Sequence, residues 1–455
     1  MTSPLPPLPA VKRLSTSIWR ILGGNPSKFT LQGTNTYLLG TGRQRILIDS
    51  AQGFPIWTEN LRAALVQASA EFRAEAQSRL VGNSSSTSFS TFSSTTTATI
   101  PSSSATTFSS TAAAAAATTR PDDEFDIQIT HSILTHWHHD HVQGVSDLLA
   151  LFPHCTVWKF LGSRLDPDGS LAGFAVRELH DGQVLGVSAE TRGGSESKFQ
   201  SESEREGEST VKVKVWHTPG HTADHVVLQV VASSDPDEVG VMFTADNVLG
   251  HGTAVFEDLK AYMESLRRML GLLEEAAGSS TSNPSGLCTV AGSNSTPTAA
   301  TNTTTTAAAT TATTPTRTIK AYPAHGEQIE NATSKLHEYI SHRAQRETEA
   351  LNVLSHGTTT TTTASRGEHG NTREESREWT AAQMVRVIYA AYPTSLHEPA
   401  EGGLVQVLGK LEREGRVERT EGGWRAVDGG GSSSNSSNNN SCGSGDGGGA
   451  GSGKL

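Results

Sequence analysis

Apolar and polar residues along "TNTYLLGTG" and "QRILIDSA" follow the rhythm of two short strands, and the glycines at 40 and 42 between them supply a hairpin signal. The next segment, "IWTENLRAALVQASAEF", places Ile56, Leu61, Leu65, Ala68 and Phe72 at helical spacing, which predicts an amphipathic helix buried along that face. "SILTH" reads as a short buried strand that ends in a cluster of histidines, and "DHVQGVSDLLALF" as the start of a helix. The second half repeats the pattern. "VKVKVWHT" and "HVVLQVV" are strands around "PGHTAD", and "VGVMFTAD" is a strand that ends in an acid. "FEDLKAYMESLRRMLGLL" predicts a helix with Leu259, Tyr262, Met263, Leu266 and Leu270 facing the core, and "TIKAYPAHG" closes the series. The polar residues of interest therefore stand where apolar strands give way to loops, the place where α/β folds present chemistry.

Further along, the pattern becomes that of a small separate unit. Thr380 with Gln383 three positions later forms a capping-box signal before "MVRVIYAAY", and Pro393 ends that helix. "LVQVLGKLEREG" puts Leu404, Val407, Leu408 and Leu411 on one face of a second helix, and "RVERTEGGWRAV" reads as a hairpin. Helices followed by a hairpin predict a winged-helix-like module. Its acids slightly outnumber its Lys and Arg, which counts against DNA binding.

Composition separates these elements from what lies between them. Hydrophobic residues make up only 35% of the 455-residue chain, because Ser, Thr, Ala, Gly and Asn fill long stretches that cannot bury enough apolar surface to order themselves. The expected organisation is a domain over residues 1–356 with inserts at about 82–119, 193–209 and 278–316. A linker over 357–372, the winged-helix-like module over 373–428 and a disordered tail over 429–455 follow. The net charge of −11 argues against general attraction to nucleic acid or anionic membrane. Cys155, Cys288 and Cys442 are too scattered for a disulfide framework or a CxxC site, which favours a reducing compartment. "MTSPLPPLPAVKRLSTSIW" lacks the apolar core of a signal peptide, and no run of about 18 apolar residues suggests a membrane span. A cytoplasmic protein is expected, with Lys12, Arg13 and the nearby serines leaving room for an organellar presequence.

The histidine cluster, "HWHHDH", changes the picture most. His136 and His138, two apart at a strand end, can aim at one ion, while Asp140 and His141 can aim at a second. Imidazole and carboxylate without thiolate, with coordination positions left open, suit a catalytic zinc, manganese or iron site. Three further strand ends offer His221, Asp246 and His325. A carboxylate such as Asp246 can bridge two divalent ions that acidify a shared water. His139 is expected to face solvent or support the site without ligating, and His251 to line a pocket or hold a loop. Trp137 should pack beside the site, with His217 and His225 supporting it.

Taken together, "HWHHDH", "TPGHT", "FTADN" and "PAHG" resemble the metallo-β-lactamase superfamily. The resemblance covers nearly the whole chain outside the inserts. It implies an α/β fold, an αββα sandwich with the metals at one edge of its two sheets and the small winged-helix-like module after it. By the same resemblance His136, His138 and His221 would bind one metal, and Asp140, His141 and His325 the other. Asp246 would bridge, and Asp49 of "RILIDS" would support the site through hydrogen bonds. Four positions depart from the family pattern: Ala51, Gln143, Ala245 and Ala324 stand where glycine is usual. If those glycines used positive φ, alanine would strain the loops by about 1 kcal/mol each.

"GGNPSKFTLQGTNTY" and "LGHGTAVFEDL" are similar to the lactamase-like subgroup, and lean toward the thioesterases of fungal polyketide clusters. The resemblance implies a hydrolase with two Zn²⁺ per chain and Asp140 as the residue that orients the nucleophile and relays its proton. The expected reaction is release of a polyketide chain from an acyl carrier protein, with that carrier or a polyketide synthase as partner. An endoribonuclease using the same site, with RNA as partner, is the alternative. A third reading is a catalytically impaired assembly protein in which the Gly-to-Ala changes have disabled the site.

Overall fold

The computed structural model describes residues 5–83, 125–162, 169–188, 209–278, 317–356, 378–394 and 397–427. The inserts expected from composition, apart from their edges, the linker at 357–372 and the tail at 429–455 lie outside the described residues, as do Cys288 and Cys442. The chain divides into two compact units, Met1–Gln345 and Arg346–Leu455.

In the first unit a seven-stranded sheet runs in chain order through β1 (Val11–Arg13), β2 (Ile18–Leu22), β3 (Asn35–Leu39), β4 (Gln44–Ile48), β5 (Gln128–Leu134), β6 (Thr156–Phe160) and β7 (Val176–Leu179). β1 to β4 pair antiparallel; β4 to β7 pair parallel, which requires crossovers. α1 (Pro55–Asn83) lies between β4 and β5, and α2 (His139–Val142) and α3 (Val145–Leu151) lie between β5 and β6. The second sheet holds β8 (Val184–Ser188), β9 (Ser209–His217), β10 (Val226–Ser233), β11 (Met242–Ala245) and β12 (Ala321–Pro323), in the order β12-β11-β10-β9-β8. α4 (Leu259–Gly278) separates the parallel pair β11 and β12, and α5 (Ala332–His356), of which the residues up to Gln345 belong to this unit, follows.

Strand alternation explains how the sheets meet. In "VKVKV" the residues Val211, Val213 and Val215 point inward and Lys212 and Lys214 outward. They pack with Leu228 and Phe243 against Ile18, Tyr37, Ile46 and Ile133 of the first sheet. Trp57, Leu61 and Leu148 cover that sheet's other face with Leu38 and Leu47. On the second sheet, Gln229 of β10 donates to the Leu272 carbonyl of α4 at 3.4 Å. Helix, sheet, sheet, helix is the αββα arrangement expected.

The two predicted stripes are buried as expected over Leu61, Leu65 and Ala68 and over Leu259, Tyr262, Met263 and Leu266, and each departs at one end. Ile56 is 43% exposed, and Trp57 takes the buried place, its indole N–H donating to Thr36 Oγ1 at 3.1 Å. Leu270 is half-buried, while Met269 is fully buried between Leu266 and Leu273. The segment "DHVQGVSDLLALF" forms two helices instead of one. They break at Gly144, where a Cβ would lie 1.9 Å from the Ser50 carbonyl oxygen.

The second unit contains α6 (Ala381–Ile388), α7 (His397–Arg413), β13 (Val417–Thr420) and β14 (Gly423–Ala426). The capping box forms as expected: Gln383 N–H donates to Thr380 Oγ1 at 3.2 Å, and Thr380 N–H to Gln383 Oε1 at 2.9 Å. Leu404, Val407, Leu408 and Leu411 of α7 are buried, as are Met384, Val385 and Trp424. Among the described residues no helix is long and apolar enough to cross a membrane.

Candidate metal centre

Four loop segments at strand ends converge at one edge of the two sheets. The loop after β5 brings His136, His138, Asp140 and His141; the β9–β10 turn brings His221; the ends of β11 and β12 bring Asp246 and His325. Donor atoms of His136, His138, His221 and Asp246 lie within 4.8 Å of one another, and those of Asp140, His141 and His325 do the same. Asp246 faces both groups. Its Oδ2 lies 3.5 Å from His221 Nε2 and 3.9 Å from His136 Nε2, while Oδ1 lies 3.3 Å from His325 Nε2 and 3.7 Å from His141 Nε2. All seven residues singled out from the sequence are thus brought together.

The hydrogen bonds fix several tautomers. His221 Nδ1 donates to the Val255 carbonyl at 2.7 Å, which leaves a lone pair on Nε2. The Thr135 hydroxyl donates to Asp49 Oδ2 (3.0 Å), so it accepts from His136 Nδ1 (3.1 Å), and His136 Nε2 carries a lone pair too. Both lone pairs face His138 Nδ1, at 3.1 Å and 3.0 Å. A single N–H on His138 can satisfy only one of them, whereas a cation satisfies all three. Burial first, then the neighbouring histidines, hold His136 well below the usual histidine range and bring His138 down to about 4, the neutral state that ligation requires.

The other half is held by carboxylates. His141 Nδ1 lies 2.9 Å from Asp49 Oδ2, and Asp49 Oδ1 accepts from the Thr135 backbone N–H at 2.8 Å. Although burial pulls the other way, Asp140 and Asp49 raise His141 well above its ordinary range, and Asp246 raises His325. Burial likewise opposes ionisation of the two acids, yet His141 holds Asp140 below the usual carboxylate range and His325 does so for Asp246. Among the described residues buried His141 Nε2 and Asp246 Oδ1 have no hydrogen-bond partner, a costly state that coordination relieves. The donor set, nitrogen and oxygen without sulfur, fits borderline and hard divalent ions.

Supporting contacts come from all around. His225 is buried, accepts the Asp246 backbone N–H at Nε2 (3.2 Å) and pairs through Nδ1 with Thr218 Oγ1 (3.1 Å). Gly220, with φ of 132°, lets the His221 turn press on α4, where a Cβ would lie 2.3 Å from the Tyr262 backbone. Asp224, next to that turn, pairs with buried Lys159 of β6 and accepts from Thr222 at 2.8 Å. His217 stacks on Phe160, and Trp137 packs against His138 with ring centroids 4.5 Å apart. Ala51 and Ala245 do adopt positive φ, 54° and 44°, as does Asp49 at 59°; Gln143 at −69° and Ala324 do not. Thr34, Asn25, Thr135 and the Val255 carbonyl were not singled out from the sequence. Only Thr135, adjacent to His136, carried a positional hint.

A cavity of about 720 Å³ opens onto the centre. Asp140, His138, His221, Asp246 and His325 form its floor, and Phe29, Phe54, Leu249, Val255 and Phe256 give it an apolar wall. His251 also lines it, and exposed His139 sits at its rim.

A family profile described as the metallo-beta-lactamase superfamily matches residues 123–277, and one described as the beta-lactamase associated winged helix domain matches 380–424. The lactamase-like protein nscB of Arthroderma gypseum is 30% identical over 414 residues, covering 91% of this chain and 87% of its own. The protein of the same name from Trichophyton rubrum is 31% identical over 416 residues, with 91% and 84% covered. A beta-lactamase domain protein from Burkholderia ambifaria, of known crystal structure, shares the fold with a TM-score of 0.50 at 13% identity, over 93% of this chain and 96% of that one. Such a fold with such a donor set suits a divalent metal and hydrolytic chemistry. Profile, relatives and architecture agree: the chain belongs to the metallo-β-lactamase superfamily.

Proposed function

We propose that this protein is a metal-dependent thioesterase that releases an acyl chain, of polyketide type, from a carrier protein. The observation that carries the reading is the cavity wall. Phe29 and Val255 stand 70% and 65% exposed at the cavity, beside Phe54, Leu249 and Phe256, a surface that pays for its exposure only when it meets an apolar substrate. Lys28 is the sole Lys or Arg among the described residues that line the cavity, and the chain carries a net charge of −11. A polyanionic RNA strand would call for a basic track instead.

His136, His138 and His221 would hold one ion, Asp140, His141 and His325 a second, with Asp246 between them. Such ions, zinc being the expected pair, supply Lewis acidity and a lowered pKa for water. The chain's own residues do the rest. Asp140, ionised and at the cavity floor, has Oδ2 engaged by Thr34 and faced by His141 and His325, which leaves Oδ1 to orient an attacking water and take up its proton. The apolar wall holds the acyl chain and excludes bulk water from the floor.

The test is a comparison, with one metal-loaded preparation, of acyl-carrier-protein thioesters and single-stranded RNA. Hydrolysis of the thioester, faster with longer acyl chains, is expected. RNA cleavage with the thioesters left intact would overturn the reading.

A further inference from the structure

The arch between β2 and β3, residues 23–34, meets the site twice. Asn25, Lys28, Phe29 and Thr30 form part of the cavity wall. At the arch's inner end Thr34 is fully buried, and its hydroxyl lies 2.8 Å from Asp140 Oδ2. The direction of every hydrogen bond between them is determined. The Thr34 backbone N–H can only donate, and it donates to Asn25 Oδ1 at 2.8 Å, which settles which end of that amide is oxygen. Asn25 Nδ2 therefore donates, to Thr34 Oγ1 at 3.0 Å and to Gln52 Oε1 at 3.1 Å. Having accepted that N–H, the Thr34 hydroxyl directs its own proton to Asp140 Oδ2. The same oxygen lies 3.4 Å from Nε2 of both His141 and His325. The arch is also tied to the His325 loop: Asn35 N–H donates to the Ala324 carbonyl at 2.6 Å, and Asn35 Nδ2 to Gly326 at 2.8 Å.

We propose that Asn25 and Thr34 are positioning residues for Asp140. They set the rotation of its carboxylate and couple the wall that meets substrate to the half of the centre built from Asp140, His141 and His325. The inference rests on the reading of Asp140 given above, and part of its test needs no substrate.

Four forms of the full chain decide it: the unmodified protein, Thr34→Val, Thr34→Ser and Asn25→Asp. Valine keeps the shape and removes the hydroxyl; serine keeps the hydroxyl. Asn25→Asp keeps an acceptor for the Thr34 N–H but loses the donor, so the Thr34 hydroxyl turns toward the new carboxylate and away from Asp140. The first readout is zinc affinity of the apoprotein, by competition with a chromophoric chelator. Thr34→Val and Asn25→Asp should weaken the second zinc equivalent by about tenfold or more and leave the first unchanged, whereas Thr34→Ser stays within about threefold of the unmodified protein. The second readout is steady-state thioester hydrolysis, where kcat should fall in the same two variants with KM little moved. Unchanged zinc binding in both variants, or a serine variant no better than valine, would overturn the proposal. If Thr34→Val does not fold, Asn25→Asp against Thr34→Ser decides the matter. Failure of the unmodified protein to hydrolyse any thioester would sink the proposed substrate and leave the zinc readout to judge this inference alone.

Discussion

The two halves of the centre are built by different means. Around His136, His138 and His221 the supports are a hydroxyl and a backbone carbonyl, and burial keeps His136 and His138 neutral before any ion arrives. Around His141 and His325 the supports are carboxylates, which favour a proton on the rings. One half is a preformed ligand set; the other is an ion-pair network that an ion enters by displacing protons. Asp246, with one oxygen toward each half, is where the two meet.

That contrast can be broken at its centre. Asp246→Ala should cost more than about a hundredfold in turnover and lower metal content in both halves, measured by elemental analysis of the purified protein. Asp140→Ala should abolish turnover comparably, keep the first metal equivalent and weaken the second at least as much as Thr34→Val does; a rate equal to the unmodified protein would remove Asp140 from its role. Asp49→Asn sharpens the contrast instead, since Asp49 touches His141 directly and reaches His136 only through Thr135. It should weaken the second equivalent by about 10–100-fold and spare the first, as chelator competition would show.

Acidity separates the halves further. Burial opposes charge on His141 and His325, yet Asp140, Asp49 and Asp246 prevail, so both rings keep protons to higher pH than an ordinary histidine. An ion must expel those protons, so affinity there rises with pH and is lost as pH falls. His138, brought down to about 4, and His136, lower than usual, need lose no proton near neutrality. Metal content followed from pH 8 downward should therefore drop first in the His141 half, by about one equivalent. The smallest effect expected is on the backbone. Ala245→Gly, at a φ of 44°, should stabilise the fold by about 1 kcal/mol in urea denaturation, whereas Ala324→Gly, without positive φ, should not.

Much of this was legible in the sequence because the ligands cluster in the loops and turns that follow strands. "SILTH", "VMFTAD" and "AYPAH" announce both the strand and the residue it delivers, and the alternation of "VKVKV" gives the facing of β9. The supports were not legible, for definite reasons. Thr34 meets Asp140 across 106 positions, and the partner of His221 is a backbone carbonyl, which any residue type at 255 would offer. At the start of α1 the buried position is Trp57 and not Ile56, and the indole N–H that holds it meets Thr36, 21 positions away, a partner the local pattern does not reveal. Substituted glycines could be noticed at Ala51, Gln143, Ala245 and Ala324, but only the backbone tells that two of the four need positive φ.

The most direct test of the account is a zinc titration of the apoprotein at pH 7.5 and again near pH 5.5, with proton release recorded. The account predicts two sequential equivalents at the higher pH, the second with the larger proton release, and one equivalent at the lower. A single equivalent at both values, or two that leave together with equal proton release, would contradict it.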